Sequence, residues 1–196
     1  MIPVSTLSVK HHTKAVFDDR KTFRLIYDAV TNPAKAVNIA DSVDMLIGDD
    51  PMILAVAMTL LDGEVSFNVC EKHSLSAEIT SLTHARNVSA DSADYIFIYD
   101  LNAIIPVMES IKLTTLSKPL KSSTVVIRND GEPVCPLKFS GPGIDGTKTV
   151  TVSQNVKRAI ILRDSLNFVY PQGVDMIFIS SLGDLFAIPR FIRVHV

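Results

Sequence analysis

A short list of residues in this chain has the types and spacing that chemistry requires. Gly141-Pro142-Gly143-Ile144-Asp145-Gly146 matches the phosphate-cradling pattern G-x-G-x-x-G. That pattern binds a dinucleotide only where a helix starts directly after it, because the helix amides and dipole hold the pyrophosphate. Here Thr147 to Val152 follows, a Thr- and Val-rich stretch that favours a strand, and Pro142 removes one amide donor. The glycine loop therefore reads as a tight structural turn. Lys148, just past it, stands where a Schiff-base lysine of a cofactor site could sit, but its Thr-rich setting reads as surface. Cys70-Glu71-Lys72-His73 supplies half of a metal-ligand set, and the remaining histidines, at 11, 12, 84 and 195, do not complete it. No nucleophile elbow, P-loop or zinc signature is present. No catalytic residue, metal ligand or cofactor is therefore assigned.

Asp175 and Arg190 are a different case. Val174 to Ile179 is an almost continuous apolar run with Asp175 near its head, the pattern of a strand covered on both faces. Ser180 to Asp184 is a turn cluster around Gly183, and Leu185 to Ile188 resume the β pattern, with Arg190 just beyond. Folding this as a hairpin whose opposed residues sum to 364–366 brings the two charges level within one residue. A sum of 365 would set them directly opposite. The pairing reads as a structural ion pair that fixes the register. The functional alternative has the planar fork of Arg190 holding a phosphate or phosphonate, which makes it the candidate ligand-binding residue.

Stepping from those residues to the elements that must hold them, a helix fits Phe17 to Val30, with Val16, Phe23, Ile26, Tyr27 and Val30 as its apolar face and Asn32-Pro33 as its stop. Val37 to Ala40 reads as a short strand. Asp50-Pro51 caps a helix over Met52 to Leu61, Val65 to Val69 is a strand, and Ser74 to Arg86 a helix. Asp94 to Asp100 is a strand bounded by acids, Ile104 to Leu113 a helix despite Pro106, and Ser123 to Arg128 a strand. Asn129-Asp130-Gly131 then supplies a turn across which Val134 to Ser140 is expected to pair back. Val156 to Leu166 is a further helix before the closing hairpin. Helices alternate with strands early and strands cluster late, which gives an α/β domain with a mixed sheet flanked by helices. Residues 1–15 read as an arm and 16–196 as one domain.

The 196 residues hold 19 basic and 21 acidic side chains, a net charge of −2, without long runs of either sign and without Trp. This argues against an extended nucleic-acid surface. The chain is 47% hydrophobic. Its mean hydropathy is +0.27. The longest apolar run, Met52 to Leu61, is about half of a membrane span. Surplus apolar content without a span points to a large core, an oligomer interface, or both. No basic stretch followed by an apolar run opens the sequence, so a signal peptide is not expected and a cytoplasmic location is; Cys70 and Cys135 read as reduced thiols.

Four segments in the same order resemble the PhnH family, a subunit of the bacterial carbon–phosphorus lyase machinery. They are Phe23-Arg24 through Asp28-Ala29-Val30-Thr31-Asn32-Pro33, Leu60 to Phe67, Phe139-Ser140-Gly141-Pro142-Gly143-Ile144, and Pro171-x-Gly173-Val174-Asp175 followed by Ala187-Ile188-Pro189-Arg190. The likeness covers residues 17–196; its departure is Ala34, where the family pattern has glycine after Pro33. The resemblance implies a homodimer that joins the G, I and J subunits. That complex forms ribose 1-methylphosphonate 5-triphosphate from ATP and methylphosphonate with release of adenine. It further implies a subunit that is itself non-catalytic, with a fold similar to the large domain of pyridoxal-phosphate-dependent transferases but lacking that cofactor. The alternative, from the residues alone, is a stand-alone small-molecule enzyme or a nucleotide- or phosphonate-binding protein using a pocket at the strand ends.

Overall fold

A computed structural model describes residues 12–43, 46–70, 72–111, 122–166, 168 and 171–195. Its frame is a seven-stranded sheet in the order β1-β9-β8-β5-β4-β2-β3. The strands are β1 (Val37–Asn38), β2 (Ser66–Val69), β3 (Arg86–Asn87), β4 (Tyr95–Ile98), β5 (Thr124–Arg128), β8 (Asp175–Ile179) and β9 (Asp184–Ile188). The pairs from β8 through β5, β4 and β2 to β3 are parallel. β9 runs antiparallel to β8 and β1 antiparallel to β9. The sheet is therefore mixed, as the alternation of elements implies.

Each central strand divides its side chains between two cores. Ile96, Ile98, Val125, Ile127, Met176 and Phe178 point to one, while Phe97, Val126, Ile177 and Ile179 point to the other. This alternation explains the near-continuous apolar runs, since both faces are covered. One layer holds α1 (His12–Thr31), α2 (Pro51–Leu60) and α3 (His73–Thr83); the other holds α4 (Ile104–Ser110), α5 (Gln154–Ser165) and a second sheet. The second sheet is antiparallel, in the order β10-β6-β7, from β6 (Cys135–Ser140), β7 (Lys148–Val152) and β10 (Arg193–His195).

Several local expectations hold. Asp50 caps α2 by accepting from the Ile53 amide at 3.2 Å, with Pro51 at the first helical position. Ser153 caps α5 in the same way through Val156, a cap not expected from the sequence, and the helix starts at Gln154, ahead of the expected Val156. Pro106 falls in the first turn of α4, where its missing N–H would have no partner.

Others are corrected. β6 does not pair back on β5: both edges of β5 are taken by β4 and β8, and β6 pairs with β7 and β10 instead. The turn is instead pinned back onto the sheet, because Asp130 accepts from Arg128 Nε at 2.8 Å and from the Ser181 amide. α1 begins at His12, so residues 12–15 of the expected arm are helical, while residues 1–11 and the end of the expected 104–113 helix lie outside the described residues. The expected strand at 37–40 shrinks to Val37–Asn38 before a 3₁₀ turn, and α3 stops at Thr83, leaving Arg86 to β3. The apolar face assigned to α1 also divides. Thr22, Ile26 and Ala29 are buried, whereas Phe23, Tyr27 and Val30 are exposed.

Candidate functional site

The hairpin register is 364: Met176 faces Ile188 and Ile177 faces Ala187. Asp175 is thus level with Pro189, and the direct opposition with Arg190 does not occur. The pair forms nonetheless, because Arg190 lies one residue past that level and its fork turns back. Arg190 donates its backbone N–H to Asp175 Oδ1 at 2.7 Å and its Nε to both carboxylate oxygens at 3.0 and 3.2 Å, with Nη2 completing the grip. The side chains retain 16% and 29% exposure, so the pair is shielded but not dry.

Asp175 is the first residue of β8, level with Thr124 and, through it, with Tyr95. These residues mark the amino-terminal edge of the parallel strands. Open α/β sheets bind ligands at the opposite, carboxyl edge. The location and the hold of Asp175 on Nε and Nη2 both favour the structural reading of Arg190.

The other sequence-flagged glycines and prolines gather around the same edge. A Cβ on Gly143, at φ +84°, would lie 2.7 Å from the Thr31 carbonyl oxygen and 2.8 Å from Pro33 Cδ. On Gly173 it would lie 2.7 Å from Arg190 Cβ. Gly141 sits against the Phe191 carbonyl and Ile192 in the same way. Pro189 accepts from the Ile192 amide at 3.0 Å to close the turn after β9, and Pro171 lies in the turn ahead of β8. The end of α1, the glycine loop and both ends of the hairpin are thus one packed knot, and β7 rather than a helix follows the loop. Ala34 in this knot adopts φ +62°, the left-handed conformation a glycine would take without strain.

The carboxyl edge carries a cluster that spacing in the sequence does not reveal. β3 lies on one side of β2 and β4 on the other, so the chain reverses its direction across the sheet between β2 and β4. At the strand ends beside this point, Arg128 donates from Nη1 to both oxygens of Asp50 at 2.8 and 2.9 Å. Tyr99 donates to Asp50 Oδ2 at 3.1 Å. The Lys72 ammonium stands 4.2 Å over the Tyr99 ring. Burial raises the Tyr99 pKa above its ordinary value, and the adjacent Asp50 charge and hydrogen bond raise it further. Burial also acts to raise Asp130, but the hydrogen bonds from Arg128 and Ser181 outweigh it and leave that carboxyl lowered.

The amino ends of α2 and α5 face this cluster. Asp50 caps one, and Ser153, which donates to Asn129 at 2.6 Å, caps the other. An anion-binding site needs such helix ends open. Here the chain's own carboxylates and hydroxyls already occupy them.

Cys70 is half-buried, and Cys135 contacts Gln154 through its Sγ at 2.8 Å. Lys148 is exposed at the head of β7. Among the described residues no three His, Cys, Asp or Glu side chains form a metal-holding group, and no helix is long and apolar enough to cross a membrane.

Comparison with known proteins adds two findings. The family described as "Bacterial phosphonate metabolism protein (PhnH)" matches residues 10–195. A protein of Stutzerimonas stutzeri described as "Putative C-P lyase subunit protein HtxG" is 26% identical over 174 residues, covering 88% of this chain and 84% of that protein.

Proposed function

The chain belongs to the PhnH family of bacterial phosphonate metabolism proteins, and from that membership we propose that it serves as a subunit of a carbon–phosphorus lyase assembly. In this reading it is required for making ribose 1-methylphosphonate 5-triphosphate from ATP and methylphosphonate, with adenine released, in the cytoplasm. Its partners are a second copy of itself and the G, I and J subunits. The family relation carries the reading. The chemistry of the two clusters supports a non-catalytic role, because Arg128 and Arg190 are each spent on carboxylates of the same chain. The mixed sheet between helical layers accords with a scaffold like the large domain of pyridoxal-phosphate-dependent transferases, used without that cofactor.

The test is co-expression with the G, I and J subunits, alongside deletion of the gene in a strain grown on methylphosphonate. A co-purifying complex and loss of growth are expected. Intact growth together with no complex would sink the proposal.

A second reading, a stand-alone nucleotide- or phosphonate-binding protein or small-molecule enzyme, draws on Tyr99, Lys72 and the helix ends gathered at the carboxyl edge. It requires the purified chain to bind ATP or methylphosphonate at micromolar concentration in calorimetry. It also requires Arg128→Ala or Arg190→Ala to abolish that binding in a folded protein.

A further inference from the structure

The chain holds three Asp-Gly pairs, Asp62-Gly63, Asp130-Gly131 and Asp145-Gly146. Glycine has no Cβ to shield its amide, so the carboxyl of the preceding aspartate can reach that nitrogen and close a cyclic imide. Closure requires a carboxyl free to turn onto the chain and a backbone with room to bend around the ring. The structure separates the three pairs on both counts.

Asp62 Oδ1 accepts from the Glu64 amide at 2.9 Å, which ties the carboxyl to the residue beyond Gly63. Asp130 is held twice, by Arg128 Nε at 2.8 Å and by the Ser181 amide. Burial acts to raise the Asp130 pKa, but the hydrogen bonds outweigh it and keep the carboxyl lowered, and an ionised carboxylate is the poorer electrophile. Gly131 is also crowded, since a Cβ there would lie 2.9 Å from Ser153 Cβ. Asp145 and Gly146 are both exposed, and among the described residues Asp145 makes no hydrogen bond or ion pair. Gly146 adopts φ +67°, with nothing within 4 Å of the place its Cβ would take.

We infer that Asp145 is a site of covalent self-modification, isomerising to a β-linked isoaspartate in the folded chain. The Gly146 nitrogen attacks Asp145 Cγ, a C–N bond forms, and the carboxyl hydroxyl leaves with the amide proton as water. Water then adds to the imide carbonyl that came from the Asp145 main chain. The bond from that carbon to nitrogen breaks, and a proton returns to the nitrogen. Nothing is oxidised or reduced and the mass is unchanged. The main chain now runs through Cγ, and the α-carboxylate is free.

The product lengthens the main chain by one methylene at the loop tip, where the open space beside Gly146 accommodates it. The base of the loop stays packed, because Gly143 sits on the Thr31 carbonyl and Pro33, and the Ile144 amide donates to the Gly141 carbonyl at 3.1 Å. The modified chain therefore remains folded, as changes at exposed loop tips generally allow. The site is independent of the subunit reading.

The experiment ages the purified, folded full chain at neutral pH and then digests it with trypsin, which cuts after Lys and Arg. Asp62, Asp130 and Asp145 fall in separate peptides, 36–72, 129–138 and 139–148. Isoaspartate is read by electron-transfer fragmentation and by methyl transfer from S-adenosylmethionine with an isoaspartyl methyltransferase, which esterifies the freed α-carboxylate. The folded chain should be labelled in peptide 139–148 and in neither of the others. A sample aged in urea should be labelled comparably in all three, because only the fold distinguishes them. Asp145→Glu, whose longer side chain needs a larger ring, should lose the label in 139–148 while melting like the wild type. The inference fails if the folded chain labels Asp62 or Asp130 as fast as Asp145, or if Asp145→Glu keeps the label. It fails equally if peptide 139–148 stays unlabelled in the folded chain while the urea sample labels it.

Discussion

Arg128 and Arg190 stand near opposite edges of the parallel strands, and each closes on a carboxylate, Arg128 on one 78 residues away and Arg190 on one 15 residues away across the hairpin. The two pairs differ in what else they hold. Asp175 accepts the Arg190 amide and so anchors the exit of β9. Asp50 caps a helix and also takes the Tyr99 hydroxyl, whose pKa is raised. A phenol with a raised folded pKa contributes stability that is fully present below its unfolded value, near pH 10. That contribution is lost as pH rises above it, because the unfolded chain ionises first. Urea unfolding from pH 8 to 11 should therefore show the wild type losing stability more steeply than Tyr99→Phe. Parallel curves would remove Asp50 and burial as the cause of the shift. Of these groups, the sequence showed Asp175 and Arg190 because a hairpin brings near neighbours together. Asp50 and Arg128 were invisible as a pair, since the parallel crossovers that join them leave no local periodicity.

At the scale of elements, the family-like segments are best understood as close approaches between the α1 exit, the glycine loop and the hairpin. Gly143→Ala would drive a methyl into the Thr31 carbonyl and the Pro33 ring at a left-handed φ, while Gly146, at φ +67°, has nothing within 4 Å. The first substitution should cost about 2–4 kcal/mol from clash plus strain, and Gly146→Ala only about 1 kcal/mol from strain alone. Thermal melts of the two variants check this. Equal costs would mean that the loop is held by something other than that packing. The glycine pattern was legible as a turn because the β-prone Thr147 to Val152 follows it. The destination of β6 was not. Asn129-Asp130-Gly131 has the composition of a hairpin turn, yet a central strand whose two edges are already occupied cannot accept another partner. Strand order in a mixed sheet depends on which edges remain free, a property of the assembled sheet that local turn chemistry does not carry.

For the molecule as a whole, the surplus apolar composition separates into two filled cores and an exposed remainder, part of which forms a stripe along α1. Phe23 and Tyr27 stack with ring centroids 6.3 Å apart, yet are 53% and 61% exposed, and Val30 extends the stripe by one turn. Beside them a groove of about 360 Å³ runs between α1 and α2, lined by Arg20, Phe23, Arg24 and Met58 among others. An i, i+4, i+7 apolar stripe with basic residues along its flank is suited to packing against another helix. A two-fold arrangement would set the same stripe on both sides of the contact. The proposed homodimer is predicted to use this face. Phe23→Asp/Tyr27→Asp should convert a dimer to a monomer in analytical ultracentrifugation, with little change in the melting of the monomer because both side chains are already solvated. Dimers that persist at the wild-type dissociation constant would place the self-contact elsewhere and free the α1 stripe for a different subunit.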